Sequence, residues 1–145
     1  ISAAQQALNR NTHLLTTVMS SPISGPMTRS LLYECATIAS TATVSGTARI
    51  DGVRSTAGRH TGHVSGLEAR FNGEVAHAVA GMKRAEVEPI VRELQKRYLP
   101  VLDERPVGVR FDKAYDLRTL KPVAEWQRTY EEVKEELFQL GIKFK

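Results

Sequence analysis

Apolar positions recur at spacings of three and four along most of this chain, and one short segment departs from that rule. Between residues 27 and 44, Leu31, Leu32, Cys35, Ile38, Ala39 and Ala42 fall on one side of a helix, and Gly46 is placed as its stop. The opposite side is Ser, Thr and Ala, with only Arg29 and Glu34 charged, so this helix is expected to pack against neighbours on more than one side. Residues 3–10 read as the tail of a helix ending at Asn9-Arg10-Asn11. The departure follows. His13-Leu14-Leu15-Thr16-Thr17-Val18-Met19 is apolar and β-branched without an acid or a lysine, the pattern of a strand covered on both faces as in a parallel sheet. Ser20-Ser21-Pro22-Ile23-Ser24-Gly25-Pro26 then reads as a turn.

Residues 47–66 carry Gly52, Gly58, Gly62 and Gly66 among Arg49, Arg54, Arg59, His60 and His63, which predicts a long ordered loop. Ser65-Gly66-Leu67-Glu68 is a capping box opening a helix to about residue 80, with Leu67, Phe71, Val75, Ala78 and Met82 on its apolar side. Glu88-Pro89 predicts the next helix start, and Val87, Ile90, Val91, Leu94 and Tyr98 its stripe up to Pro100. Residues 101–121 read as loop. Pro122 is expected to open the last helix, striped by Val123, Trp126, Tyr130, Val133, Leu137 and Leu140. The chain therefore divides into a strand, helix and Gly/Arg loop over 1–66 and a helical part of the same domain over 67–145.

Length changes this picture. The 145 residues suffice for one compact domain but fall well short of a complete doubly wound sheet or eight-stranded barrel. A single strand between weakly charged helices expects partner strands, and the first residue, Ile1, is not Met, so residues are expected upstream. A net charge of +4 raises the question of an anionic partner. The signs are interleaved along the later helices, which reads as a solvated face and sets nucleic acid aside. No run approaches the roughly 18 apolar residues of a spanning helix, and the one cysteine, Cys35, forms no internal disulfide; a cytoplasmic protein is expected.

Candidate chemistry is sparse. His60 and His63 form an H-x-x-H pair without the further ligands zinc requires, so they read as surface histidines and no metal is expected. Cys35 lies mid-helix on an apolar side and reads as a small buried hydrophobe. Glu68 and Glu74 could form an acid/base pair, but Glu68 has a capping role and structural use is favoured. The Arg/Gly loop is the best anion-binding candidate, although it matches no phosphate-loop or dinucleotide spacing.

Longer motifs are more informative. Gly25-Pro26-Met27-Thr28, Thr43-Val44-Ser45-Gly46, Val53-Arg54-Ser55-Thr56-Ala57-Gly58, Ser65-Gly66-Leu67-Glu68-Ala69-Arg70-Phe71-Asn72-Gly73-Glu74-Val75-Ala76, Tyr115-Asp116-Leu117-Arg118-Thr119-Leu120-Lys121-Pro122 and Leu137-Phe138-Gln139-Leu140-Gly141-Ile142-Lys143-Phe144 resemble the C-terminal region of the monomethylamine:corrinoid methyltransferases, the pyrrolysine-containing enzymes of methylamine-fed methanogenesis. The resemblance implies an α/β fold, the C-terminal part of a (β/α)8 TIM-type barrel that is mainly helical within this chain and has one buried strand. It implies a methyltransferase that moves a methyl group from a small methylated amine to the Co(I) corrinoid of a partner protein. It also implies a homo-oligomer, with no cofactor bound by this chain and the pyrrolysine upstream of it. At the late strand end the family places a substrate-facing Gln and Tyr, and the matching positions here are Met19 and Ser21. A thioether lacks the amide's donors, and a Ser hydroxyl falls short of a phenol's reach, so a changed substrate pocket is expected. The competing expectation is a non-catalytic assembly or interaction subunit derived from that family.

Overall fold

The computed structural model describes residues 2–144. The elements run α1 (Ser2–Asn11), β1 (Thr17–Ser20), α2 (Arg29–Val44), β2 (Arg49–Val53), α3 (Gly66–Val79), α4 (Arg84–Leu102), α5 (Phe111–Ala114), β3 (Tyr115–Asp116), β4 (Lys121–Pro122) and α6 (Ala124–Gln139). β1 and β2 are parallel, and α2 is the crossover such a pair needs because a tight turn cannot join parallel strands. Thr17 pairs with Arg49, Val18 with Ile50 and Met19 with Asp51; the register then slips so that Ser20 faces Val53 and Gly52 is the extra residue of a bulge.

The two faces of this sheet differ. Val18, Ser20 and Val53 are buried against α2 and α3, whereas Thr17 and Met19 point the other way and Met19 is 51% exposed. Two expectations are corrected here. The strand does not run over 13–19, because β2 offers partners only to Thr17–Ser20 and the last rung is the Ala48 N–H donating to the Thr16 carbonyl at 3.0 Å. Leu14 and Leu15, ahead of that rung, are exposed. Nor is the strand covered on both faces, since helices lie on one side and nothing among the described residues lies on the other. β2 itself is a second strand inside the stretch read as loop, so the chain has more than one.

α2 behaves as its composition dictates. Thr28 caps it, its Oγ1 accepting from the Leu31 N–H at 3.3 Å and donating to the Gly25 carbonyl at 2.7 Å. Leu31, Leu32, Cys35, Ala36 and Ala39 are fully buried among α3, α4, α6 and the sheet. Burial contributes about 2 kcal/mol for each leucine. α3 follows its expected bounds closely. α4 starts at Arg84 instead of Glu88-Pro89, because the Glu86 carboxylate reaches back to the Lys83 N–H at 2.6 Å and begins the helix a turn earlier; Pro89 and Pro100 lie inside it. α6 starts at Ala124, Pro122 being taken up in β4. Residues 101–121 are not all loop, since they hold α5, β3 and the first residue of β4.

One core joins these elements. Leu31, Val53, Phe71, Leu94, Trp126 and Ile142 belong to the same buried cluster, with Trp126 inaccessible at its centre. Across the outside, Arg29 of α2 and Arg97 of α4 both pair with Glu136 of α6, and the Tyr33 hydroxyl donates to the same carboxylate at 2.7 Å. No helix among the described residues is long and apolar enough to cross a membrane.

Candidate functional site

The C-terminal ends of β1 and β2 open into segments 21–28 and 54–65, and buried polar side chains hold both. Glu34 of α2 accepts from the Ile23 N–H at 2.6 Å and the Ser24 N–H at 3.0 Å. Ser20 donates to Asn72 Oδ1 of α3 at 3.0 Å. Glu68 accepts from Ser55 Oγ at 3.1 Å and from both the N–H and the hydroxyl of Ser65, whose oxygen in turn accepts from Trp126 Nε1 at 3.3 Å. Burial pushes the Glu68 carboxyl above the ordinary carboxylate range, and the donors from Ser65 and Ser55 oppose that rise. A carboxylate buried without a cation is tolerable only when donors surround it, and here the loops supply them.

The ladder continues past the strands. Arg54, Thr56 and Ala57 donate their N–H groups to the carbonyls of Ser20 (2.8 Å), Ser24 (2.9 Å) and Pro22 (2.7 Å). Thr56 and Ala57 hold φ of 56° and 51°, left-handed values that a β-branched residue adopts only under constraint. A distant segment closes over this end: the Gly25 N–H donates to the Pro106 carbonyl at 2.8 Å, and the Val109 N–H to the Pro26 carbonyl at 3.1 Å. The two backbones are so close that a Cβ on Gly25 would lie 1.6 Å from the Val107 oxygen.

Met19 is the third residue of β1, on the open face of the sheet; Ser21 follows the strand and is half-buried. Opposite Met19 in the ladder stands Asp51, ion-paired with Arg49. Sequence reasoning missed Asp51, although the polar, apolar, polar order of Arg49-Ile50-Asp51 is the alternation of a half-covered strand. His60 and His63 approach to 5.5 Å between ring centroids, and no group of three metal-ligating side chains exists among the described residues. Cys35 is buried as expected; burial pushes its thiol well up, and the charges of Glu68 and Glu34 add to that. Glu68 and Glu74 do not converge. Glu74 faces Arg70 at 2.7 Å and Lys134 at 2.8 Å, with the Tyr130 hydroxyl also donating to it. A groove of about 450 Å³ between α1, α2 and α4 includes Gln6, Val44 and Arg84, at the end of α2 that leads into the start of β2. It is therefore remote from Met19 and Ser21.

The family model described as monomethylamine methyltransferase MtmB matches residues 1–142. The chain belongs to the MtmB family. Relatives named monomethylamine methyltransferase MtmB from Methanosarcina mazei and MtmB1 from Methanosarcina barkeri are each 36% identical over 123 residues, covering 85% of this chain and 27% of theirs. The crystal structure of the M. barkeri MtmB, and that of a hydroxylamine MtmB complex, superpose with a TM-score of 0.93 at 33% identity, covering 97% of this chain and 31% of theirs. The chain thus spans less than a third of the length of these MtmB relatives. Its predominantly helical architecture with few strands is the one found in that part of the MtmB crystal structures.

Proposed function

We propose that this chain is the late-strand and outer-helix portion of a (β/α)8 barrel in a methylamine methyltransferase, whose strand ends hold a small methylated amine. The observation that carries this reading is the superposition on an MtmB crystal structure over 97% of the chain, together with the order β1-α2-β2-α3, in which each strand is followed by a helix on the same face. The methyl acceptor is the Co(I) corrinoid of a partner protein. In such a barrel the uncovered sheet face, with Thr17, Met19, Arg49 and Asp51, turns inward, and Ser20, Ser21 and Gly52 lie at the end where substrates bind. The chain's own contribution is orientation and exclusion of water. Met19 supplies an apolar, polarizable contact in place of hydrogen-bond donors, and Asp51 supplies a carboxylate to an ammonium group nearby. Such a pocket favours a bulkier or less polar methyl donor over monomethylamine. The outer helices, α6 among them, offer the contacts of a homo-oligomer.

The test is the visible-spectrum change of Co(I) corrinoid protein with each amine in turn, using the protein at its natural length. Met19→Gln with Ser21→Tyr is expected to raise monomethylamine-dependent methylation by about 1–3 kcal/mol of transition-state stabilisation. An unaltered protein that already prefers monomethylamine, or a double variant with the same amine preference, removes the substrate-facing role of these positions. Absence of methyl transfer from every amine would favour the assembly subunit instead.

A further inference from the structure

Separate from the methyl-transfer reading, and not dependent on it, we propose that the crevice between the 54–60 turn and the 103–107 segment is a binding site for a phosphate-class oxyanion. The crevice has a volume of about 150 Å³ and is lined by Ile23, Thr56, Arg59, His60, Arg105 and Val107. At roughly 30 Å³ per water it has room for one tetrahedral oxyanion and a few waters, and little more. Its lining residues include two arginines and a histidine, all three exposed, and no acidic residue.

The arginines of this molecule divide into those paired with an acid and those that face none among the described residues, and both arginines of the crevice are of the second kind, with Arg10, Arg54, Arg84 and Arg118. Arg29, Arg70, Arg92, Arg97 and Arg110 each face a carboxylate within 4 Å. Arg59 and Arg105 face none among the described residues, although the chain has sixteen acidic residues. Two cations sharing one concavity without an anion repel each other, and an oxyanion between them converts that repulsion into charge-assisted hydrogen bonds.

The walls are built in advance. Thr56, Ala57 and Arg105 all have left-handed φ, at 56°, 51° and 48°, and each such residue costs on the order of 1–3 kcal/mol that the surroundings must offset. The Ser24 and Pro22 carbonyls hold Thr56 and Ala57, and the Gly25 N–H holds the Pro106 carbonyl next to Arg105. Thr56 Oγ1 is occupied, donating to the Ser55 carbonyl at 2.7 Å and accepting from the His60 N–H at 3.3 Å. Recognition therefore falls to Arg59, Arg105 and His60. Donors approaching from two separate segments suit a tetrahedral anion, whose oxygens point in several directions, better than a planar carboxylate, which one guanidinium can satisfy alone. Arg59 and His60 of the 47–66 stretch thereby acquire a use that a plain loop would not require.

The experiment is equilibrium titration of the natural-length protein with inorganic phosphate, followed by calorimetry, with acetate as the carboxylate probe. Phosphate is expected to bind more tightly than acetate. Arg59→Gln combined with Arg105→Asn, chosen because Asn accepts left-handed φ, is expected to weaken phosphate binding by about 10- to 100-fold, while Arg128→Ala on the far surface leaves it unchanged. A rise in melting temperature with phosphate, lost in the double variant, gives a second readout that does not use methyl transfer. No phosphate binding at tens of millimolar, equal binding by a folded double variant, or acetate binding as tightly as phosphate would each overturn the proposal. Failure of methyl transfer with phosphate binding intact leaves this inference standing and counts only against the enzymatic reading.

Discussion

Glu68 and Glu74 stand six residues apart on α3 and serve two different regions. Glu68 faces the strand ends, fully buried, and its partners are two serine hydroxyls and a backbone N–H. Glu74 faces the outer helices, where Lys134, Arg70 and the Tyr130 hydroxyl surround it. Burial raises the first carboxyl; partial burial works the same way on the second, but its hydrogen bonds to Lys134, Tyr130 and Arg70 prevail and hold it at about 2. At the strand ends, carboxylates organise backbone, as Glu34 also does for Ile23 and Ser24. In the helical layer, charges organise one another. The first arrangement sets loop geometry, and the second adds modest, salt-sensitive stability to helices already fixed by their apolar stripes.

The contrast is broken most severely at Gly25. Gly25→Ala forces a Cβ onto the Val107 carbonyl and is expected to cost about 3–5 kcal/mol, read as a fall in denaturation midpoint with faster amide exchange confined to 20–28 and 103–109. Glu68→Ala is next, at about 3 kcal/mol, because it leaves the donors of Ser55 and Ser65 without an acceptor, whereas Glu68→Gln keeps an acceptor, removes a buried charge and changes chemical-denaturation stability by less than about 1 kcal/mol. Equal losses from the two substitutions would show that charge, not acceptor geometry, matters there.

The pH response separates the regions next. Glu74 is depressed from 4.5 to about 2, so its contribution is present above pH 4.5 and is lost as pH falls toward 2. Glu68 is raised, so its contribution is fully present below its unfolded value and is lost as pH rises through its folded one. Acid titration of stability should therefore show a decline between about 4.5 and 2 that Glu74→Gln flattens, an effect on the order of 1–2 kcal/mol after solvent screening, and that Glu68→Gln leaves in place. The smallest effect is expected at Arg128, 3.8 Å from Glu132 and largely exposed; Arg128→Ala should alter stability by less than about 0.5 kcal/mol.

These differences explain which parts of the molecule could be read from the chain alone. α2 was legible because its apolar residues recur at helical spacing with only Arg29 and Glu34 charged, and α3 because Ser65 and Glu68 are a local signal. β2 was hidden by Arg49, Asp51 and the bulge at Gly52, which interrupt an alternation only five residues long. Pro89 and Pro122 misplaced two helix starts, since proline marks where a helix is permitted to begin without requiring it. The covered face expected for residues 13–19 did not materialise within this chain, so the barrel reading rests on the relatives and on the strand–helix order. Met19 lies within β1 and Ser21 just past its end. Arg59 lay in the loop read as the best anion-binding candidate, but the Arg105 wall opposite it was not legible, because the two walls meet only through the pairing of Gly25 with Pro106, residues with no local sequence relation.

That pairing also bears on how the chain folds. The helices can form from contacts a few residues apart, but the clasp of 24–26 on 106–109 closes a loop of some eighty residues and depends on α2, α3 and α4 already being packed. Contacts of such separation form late. The strand ends are therefore expected to be completed after the helical core, with the 24–26 and 106–109 segments clasping last.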